Sequence, residues 1–223
     1  MADEMMDKGP ASAQMGSAKA GIAPADVRAA HDMAAFVQEC PSMFHTAAAV
    51  RRGLDEAGYA YLPESKPRVD RRGGHYYTVR NNSSIIAFKV GAKLDAYRFQ
   101  LTASHSDSPT YKVKAAPELS GPSGYMRLNV EAYGGVMDHT WFDRPLSVAG
   151  RVLVRSGNRV ESRLIAPDAD LLIIPRVPIH LDREANSRFS PNRAVDLCPV
   201  ISAGELGSGS FDRLVAQEAG VAP

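Results

Sequence analysis

The chain has 223 residues, of which 44% are hydrophobic and 23% charged, a composition typical of globular proteins and not of disordered or fibrous ones. A net charge of +1 without a block of like charges argues against electrostatic partners, so we expect neither nucleic acid nor a membrane. No apolar run approaches the ~18 residues of a membrane span, and no secretion signal is recognisable. Cys40 and Cys198 have no metal or redox spacing, which also favours a cytoplasmic location.

Two helices are the first ordered elements predicted. Residues 1–23, rich in Ala, Gly, Ser and Met, lack apolar periodicity and are predicted to be a disordered lead. From Pro24, apolar side chains recur at helical spacing until Pro41 ends the pattern. A second helical pattern covers residues 47–57, and Gly58 follows where a left-handed C-terminal cap is expected.

The hydrophobic period then changes from helical to alternating. Residues 76–80 and 84–90 are predicted to pair as a hairpin around an Asn-Asn turn. Residues 98–104 are predicted to form a third strand, which ends at His105. A region of helices and strands therefore precedes this histidine.

Strand patterns continue after Pro109 with no helical pattern between them. They cover residues 126–133, 146–155, 159–165 and 171–174, with a predicted hairpin loop at 156–158. A stretch rich in Gly and Ser at 204–209 then leads to a helical pattern from Phe211. This order of elements predicts a helix-and-strand module followed, from about residue 116 to 203, by an all-β module.

The pentapeptide His-Ser-Asp-Ser-Pro at residues 105–109 contains the candidate functional residues. His105 and Asp107 would share one face of an extended strand, because side chains alternate along it. A metal-ligating histidine usually has a carboxylate partner that fixes its tautomer, so the pair indicates a hydrolytic metal site. On spacing alone, the pattern is more typical of a strand that ends in an Asp-Ser-Pro turn beside an unrelated histidine, and the choice between the two interpretations depends on the rest of the chain.

Several common catalytic sequence motifs are absent, which argues against some classes of enzyme. The sequence contains no Gly-x-Ser-x-Gly, no phosphate-binding loop, no Gly-x-Gly-x-x-Gly and no His-Glu-x-x-His. Serine hydrolases, nucleotide enzymes and zincins are therefore disfavoured. A metal site assembled from residues distant in sequence remains.

Further segments surround the pentapeptide in a distinctive order. They are Pro41-Ser42-x-Phe44-His45, Arg80-Asn81-x-Ser83-Ser84-x-Ile86-Ala87-Phe88, Lys112-Val113-Lys114, Tyr133-Gly134-Gly135, Thr140-Trp141-Phe142-Asp143-Arg144-x-Leu146-Ser147-x-Ala149-Gly150-Arg151-Val152, and Ile174-Pro175-x-x-Pro178-Ile179-His180-Leu181-x-Arg183. Together with residues 105–109, which match a His-Thr-Asp-Ser-Pro segment, this series resembles the M18 metallopeptidases, the aspartyl aminopeptidase family. The resemblance spans residues 34–220.

The resemblance implies both a fold and a reaction. The fold is an α/β/α zinc-peptidase catalytic domain interrupted by a β-rich domain that mediates assembly. Residues 24–115 would form the first part of the catalytic domain, 116–205 the β-rich domain, and 206–223 the start of the return to the catalytic domain. The reaction is removal of N-terminal Asp or Glu from peptides by two zinc ions per complete site, in homo-oligomers from dimers to dodecamers.

The resemblance also assigns roles to individual residues. His105 corresponds to a zinc ligand, and Asp107 to the catalytic carboxylate that orients it. His180 resembles a histidine that the β-rich domain lends to a neighbouring subunit's active site to bind substrate; a metal-ligand role for it is the less favoured alternative. Trp141-Phe142-Asp143-Arg144 is expected to form an assembly contact or a buried hydrogen-bonded corner.

Only one clear zinc ligand, His105, is present, whereas a zinc site requires three or four. In the family the remaining ligands and the general-base glutamate follow the β-rich domain, so we expect this chain to be an incomplete, inactive fragment. The alternative is a non-catalytic assembly or regulatory module that binds other subunits through the β-rich domain.

Overall fold

The structure is a computed structural model that describes residues 23–65, 72–93, 95 and 98–222. The predicted disordered lead over residues 1–23 lies outside this range except for Ala23. The helices are α1 (Pro24–Glu39), α2 (Met43–Glu56) and α3 (Ser210–Glu218). The strands are β1 (Ala60–Tyr61), β2 (His75–Arg80), β3 (Ser84–Lys89), β4 (Thr110–Ser120), β5 (Met126–Tyr133), β6 (Gly150–Ser156), β7 (Arg159–Ile165) and β8 (Val200–Ser202).

The described chain divides into two units after Ala35. The first contains most of α1, whose start at Pro24 confirms the predicted helix and places proline in the first turn, where it is tolerated. The second unit starts at Phe36 and contains all other elements. Among the described residues, no helix has the length and apolar character needed to cross a membrane.

Helix α2 and the β2–β3 hairpin agree with the sequence pattern, whereas the two-residue strand β1 was not predicted. The first sheet has the order β1-β2-β3, with β2 and β3 paired antiparallel as the predicted hairpin. Asn81 and Asn82 have φ values of 52° and 53°, as a type I′ turn requires, and Gly58 has a φ of 76° just after α2. The fully buried Tyr77 of β2 donates a hydrogen bond to Asp55 of α2 at 2.6 Å, which fixes the helix on the sheet.

The prediction of a strand over residues 98–104 is wrong. Residues 98–105 have no regular secondary structure, and Phe99 and Leu101 are 83% and 89% exposed. Alternation produces a strand only where a neighbouring strand pairs with its backbone groups, and within the described ranges no strand pairs with this segment.

The second sheet has the order β4-β5-β8 and is antiparallel. Strand β5 has the predicted bounds, whereas β4 was not predicted, because a register shift between Val113 and Glu118 interrupts its pairing with β5. The domain boundary predicted between residues 115 and 116 falls inside β4, and the domain division stays a prediction.

Strands β6 and β7 form a separate hairpin. Its turn at Gly157-Asn158 agrees with the predicted loop, and Gly157 supplies a φ of 59°. The strand predicted over residues 146–155 begins only at Gly150. The run 171–174 makes isolated bridges instead of a strand, pairing Leu172 with Leu146 and Ile173 with Val200.

The core lies between the second sheet and α3, whose position confirms the last predicted helix. Its buried side chains come from β5, from the run 171–174 and from α3, and they are Leu128, Val130, Leu172 and Phe211. Both ends of α3 are capped from distant strands. The Glu118 carboxylate of β4 accepts the N–H groups of Gly209 and Phe211 at 2.7 and 2.8 Å, and Arg163 of β7 donates to the carbonyl of Ala219 at 2.7 Å. These charges match the helix dipole.

Candidate functional site

The structure brings the two predicted residues of the pentapeptide into direct contact. His105 Nδ1 lies 2.8 Å from Asp107 Oδ1. The His105 side chain is 91% exposed and that of Asp107 25% exposed, so the carboxylate is held by the protein while the imidazole projects outwards. The predicted proximity is correct although the predicted strand before it is absent.

A third side chain, Tyr133 at the end of β5, completes this arrangement. Its hydroxyl donates a hydrogen bond to Asp107 Oδ2 at 2.5 Å. The bond from Tyr133, followed by that from His105, lowers the pKa of the Asp107 carboxyl, and the pKa of the Tyr133 hydroxyl is raised in return. Ionised Asp107 only accepts hydrogen bonds, so His105 carries its proton on Nδ1 and leaves Nε2 free.

The pentapeptide is also anchored to the β2–β3 turn. Ser106 is half-buried, and its hydroxyl donates to the carbonyl oxygen of Ser83 at 2.8 Å. From the other side, Arg151 of β6 donates to the carbonyl of Asn81 at 2.8 Å and lies over the Phe44 ring at 4.3 Å. The turn therefore fixes the backbone of the segment that holds His105 and Asp107.

A groove of about 1060 Å³ is lined by Asp107 and Tyr133 together with residues of the second sheet and α3. Its walls are mostly apolar and include Trp141, Leu172 and Phe211.

His180 does not join this site within the chain. It lies exposed in a turn, and the described residues contain no group of three His, Cys, Asp or Glu side chains able to hold a metal ion. His105, Asp107 and His180 therefore do not form a three-ligand centre in one chain.

The segment at residues 141–144 forms a hydrogen-bonded corner, although it is not fully buried. Asp143 has a φ of 53°, its N–H donates to the carbonyl of Ile174 at 3.0 Å, and its carboxylate accepts the N–H of Arg176 at 2.9 Å. Trp141 packs edge-on against Tyr111, with ring centroids 5.1 Å apart. These contacts support the corner interpretation of this segment.

The contacting pair and its surrounding segments match a known family over most of the chain. The family model described as "Aminopeptidase I zinc metalloprotease (M18)" matches residues 36–213. The chain belongs to the M18 family. Its α/β fold class, predicted from the sequence, is confirmed by this family's solved structures.

Curated M18 relatives are similar over a limited part of their length. The probable M18 family aminopeptidase 2 of Ectopseudomonas mendocina (strain ymp) is 42% identical over 185 residues, which is 82% of this chain and 43% of that protein. The probable M18 family aminopeptidase 2 of Clostridium acetobutylicum is 40% identical over 169 residues, or 74% of this chain and 39% of that protein. The chain thus spans about two fifths of the length of these relatives.

Among solved structures, a chain in the cryo-EM structure of the Ape4 and Nbr1 complex superposes with a TM-score of 0.76. It is 35% identical in sequence, and the match covers 85% of this chain and 39% of that one. The present chain and that chain therefore share a common fold over most of the present chain.

Tyr133 lies in the Tyr-Gly-Gly segment that resembles M18 sequences, but the sequence pattern indicates no role for its side chain. Its contact with Asp107 depends on the pairing of Thr110 with Tyr133 between β4 and β5, and β4 was not predicted. A predicted strand at residues 110–120 paired with β5 would have placed the Tyr133 side chain near the pentapeptide.

Proposed function

We propose that this chain supplies part of the active site of a zinc aminopeptidase that releases N-terminal Asp or Glu from peptides. The observation that carries the proposal is the 2.8 Å contact of His105 Nδ1 with Asp107, which leaves Nε2 of an exposed imidazole available. This is the ligand chemistry that zinc uses, with a carboxylate behind the histidine. Membership of a zinc metalloprotease family supports the choice of metal.

The residues present fit one corner of a zinc site. His105 would hold the metal through Nε2, and Asp107 would keep the imidazole neutral and in the required tautomer. When bound, zinc polarises a carbonyl group and lowers the pKa of a bound water, and two ions per complete site are proposed. Within this chain, Asp107 orients the ligand, and Ser106 holds the segment against the β2–β3 turn.

We further propose that His180 acts in a neighbouring subunit. Its exposed position, outside any three-ligand group of the described residues, is compatible with substrate binding in trans, and a metal-ligand role is the less favoured alternative. This proposal requires a homo-oligomer, from a dimer to a dodecamer. The proposed location is the cytoplasm.

The proposed enzyme activity belongs to a complete site, and we propose that the isolated chain is inactive. Zinc needs three or four ligands, and the described residues bring together no such set. The same observation favours the second candidate function, an assembly or regulatory module without catalysis. Size-exclusion chromatography with light scattering, of the chain alone and mixed with a full-length M18 relative, is combined with an aminopeptidase assay of the mixture. Only the module is expected to form mixed oligomers without affecting turnover.

A chimera tests the catalytic proposal directly. The matching segment of the Clostridium acetobutylicum relative is replaced by this chain, and zinc content and hydrolysis of aspartyl, glutamyl and leucyl anilides are measured. The chimera is expected to bind zinc and to prefer the acidic substrates. His105→Ala should remove zinc and turnover, whereas the control His31→Ala, in the exposed part of α1, should retain both.

Three results would contradict parts of the proposal. Full zinc content in the His105→Ala chimera would remove His105 from the ligand set. Equal turnover of leucyl and aspartyl substrates would rule out the acidic preference. Two tightly bound zinc ions and turnover in the isolated chain would refute its inactivity.

A further inference from the structure

The strongest unassigned feature is the contact between Tyr133 and the carboxylate of Asp107. The Tyr133 hydroxyl takes Oδ2 while His105 takes Oδ1, so both oxygens of one carboxylate are engaged by side chains from different segments. A carboxylate held at one oxygen alone can rotate about its terminal torsion. Two bonds to opposite oxygens fix the plane of the group.

The position of Tyr133 is set by the second sheet and not by the pentapeptide. Thr110 pairs with Tyr133, and Tyr111 with Ala132, at the end of β5. Gly134 follows at a φ of 73°, with its backbone close enough to Pro109 that an added Cβ would lie 3.6 Å from the Pro109 Cα. The tyrosine therefore enters the site from a backbone position fixed on both sides.

We propose that Tyr133 is a positioning residue that acts through Asp107 on His105, by fixing the carboxylate that selects the Nδ1–H tautomer of the imidazole. The inference rests on the proposed role of His105 as a zinc ligand. Tyr133 itself touches neither the imidazole nor a metal in this scheme. Its effect is transmitted entirely through the Asp107 carboxylate.

The tautomer of His105 is measurable in the metal-free chain, independently of activity. Long-range ¹H–¹⁵N spectra of histidine-labelled protein distinguish the two tautomers, and His105→Gln assigns the signals among the six histidines. Spectra are recorded at about pH 8.5, where an ordinary imidazole is neutral. Tyr133→Phe is expected to lower the ratio of Nδ1–H to Nε2–H tautomer by about twofold to fivefold, the worth of one partly exposed hydrogen bond.

The matched control is Tyr125→Phe, an equivalent substitution at a tyrosine that is 46% exposed and remote from the carboxylate, and it is expected to leave the ratio unchanged. In an Asp107→Ala background, Tyr133→Phe should have no further effect, because the transmitting group is gone. An unchanged ratio in Tyr133→Phe, or an equal change in the Asp107→Ala background, would overturn the proposal.

A second measurement does not require replacing Tyr133. The ¹³Cζ resonance of Tyr133 reports its hydroxyl hydrogen bond and is expected to move in Asp107→Ala, whereas that of Tyr125 stays in place. A stationary Tyr133 resonance would also overturn the inference. Both measurements are made without zinc, so a failure of His105 to bind zinc in the chimera refutes the proposed function by a separate observation.

Discussion

Replacing Glu118 is predicted to destabilise the protein by releasing the N-terminus of α3. The carboxylate accepts two backbone N–H groups at 2.7 and 2.8 Å, those of Gly209 and Phe211. A capping interaction contributes ~1 kcal/mol and a negative charge at a helix N-terminus ~0.3–1 kcal/mol. Glu118→Ala should therefore cost about 1–2 kcal/mol, and Glu118→Gln about half of that, because the amide keeps one acceptor oxygen.

The effect depends on pH in a defined direction. The N–H groups of Phe211 and Gly209 lower the pKa of Glu118 below its usual value of 4.5, with a smaller contribution from Arg213. The stabilisation is therefore fully present above the unfolded-state pKa and is lost as pH falls through the lower folded-state pKa. The difference between the wild type and Glu118→Gln should shrink over this acidic interval.

Urea denaturation followed by circular dichroism at pH 7 and at several acidic pH values measures this difference. The matched control is Glu205→Gln, because Glu205 is exposed and, among the described residues, only its backbone N–H takes part in a hydrogen bond, to Ser202 Oγ. It should change the free energy of unfolding by less than about 0.5 kcal/mol. Equal losses for the two variants, or a Glu118→Gln effect that persists undiminished below the carboxyl range, would refute the reasoning.

Three further substitutions test other contacts. Arg163→Gln replaces the charged guanidinium that donates to the Ala219 carbonyl by a shorter neutral amide and should lower the melting temperature by ~1–4 °C, whereas Arg155→Gln, exposed on the same hairpin, should not. Leu128→Ala, at a fully buried site, should cost ~2–5 kcal/mol in urea denaturation, and Leu153→Ala, at a site 67% exposed, should stay within about 0.5 kcal/mol. Asn82→Gly should stabilise the hairpin by about 0.5 kcal/mol, since glycine adopts a φ of 53° without strain, and a loss of stability would contradict the type I′ turn.

Local patterns predicted the elements whose pairing partners are close in sequence. The β2–β3 hairpin and strands β5 and β7 match the sequence pattern within a residue or two, because alternation and turn residues act over a few positions. Residues 98–104 have the same alternation and form no strand, since alternation does not reveal whether a partner strand is adjacent. Strand β4 was missed for the converse reason: it pairs with β5 on both sides of a register shift, despite an irregular pattern and Pro117.

In the candidate site, too, the sequence predicted only contacts between residues close in sequence. The contact of His105 with Asp107 follows from their spacing, and a strand is not needed to produce it. The Tyr133 contact and the Glu118 cap both depend on where β4 lies, which no local pattern indicated. Resemblance to M18 sequences supplied the proposed zinc role of His105, since a spacing of two residues alone favours a structural histidine.

The two caps of α3 have a consequence for the order of folding. The helix is bonded at one end to a residue 91 positions earlier and at the other to a residue 56 positions earlier. Short isolated helices are marginal in water, so this nine-residue segment gains its structure only after β4 and β7 are in place. Its amide protons should lose their protection from exchange whenever β4 or β7 is not in place, so α3 reports whether the β-rich region has assembled.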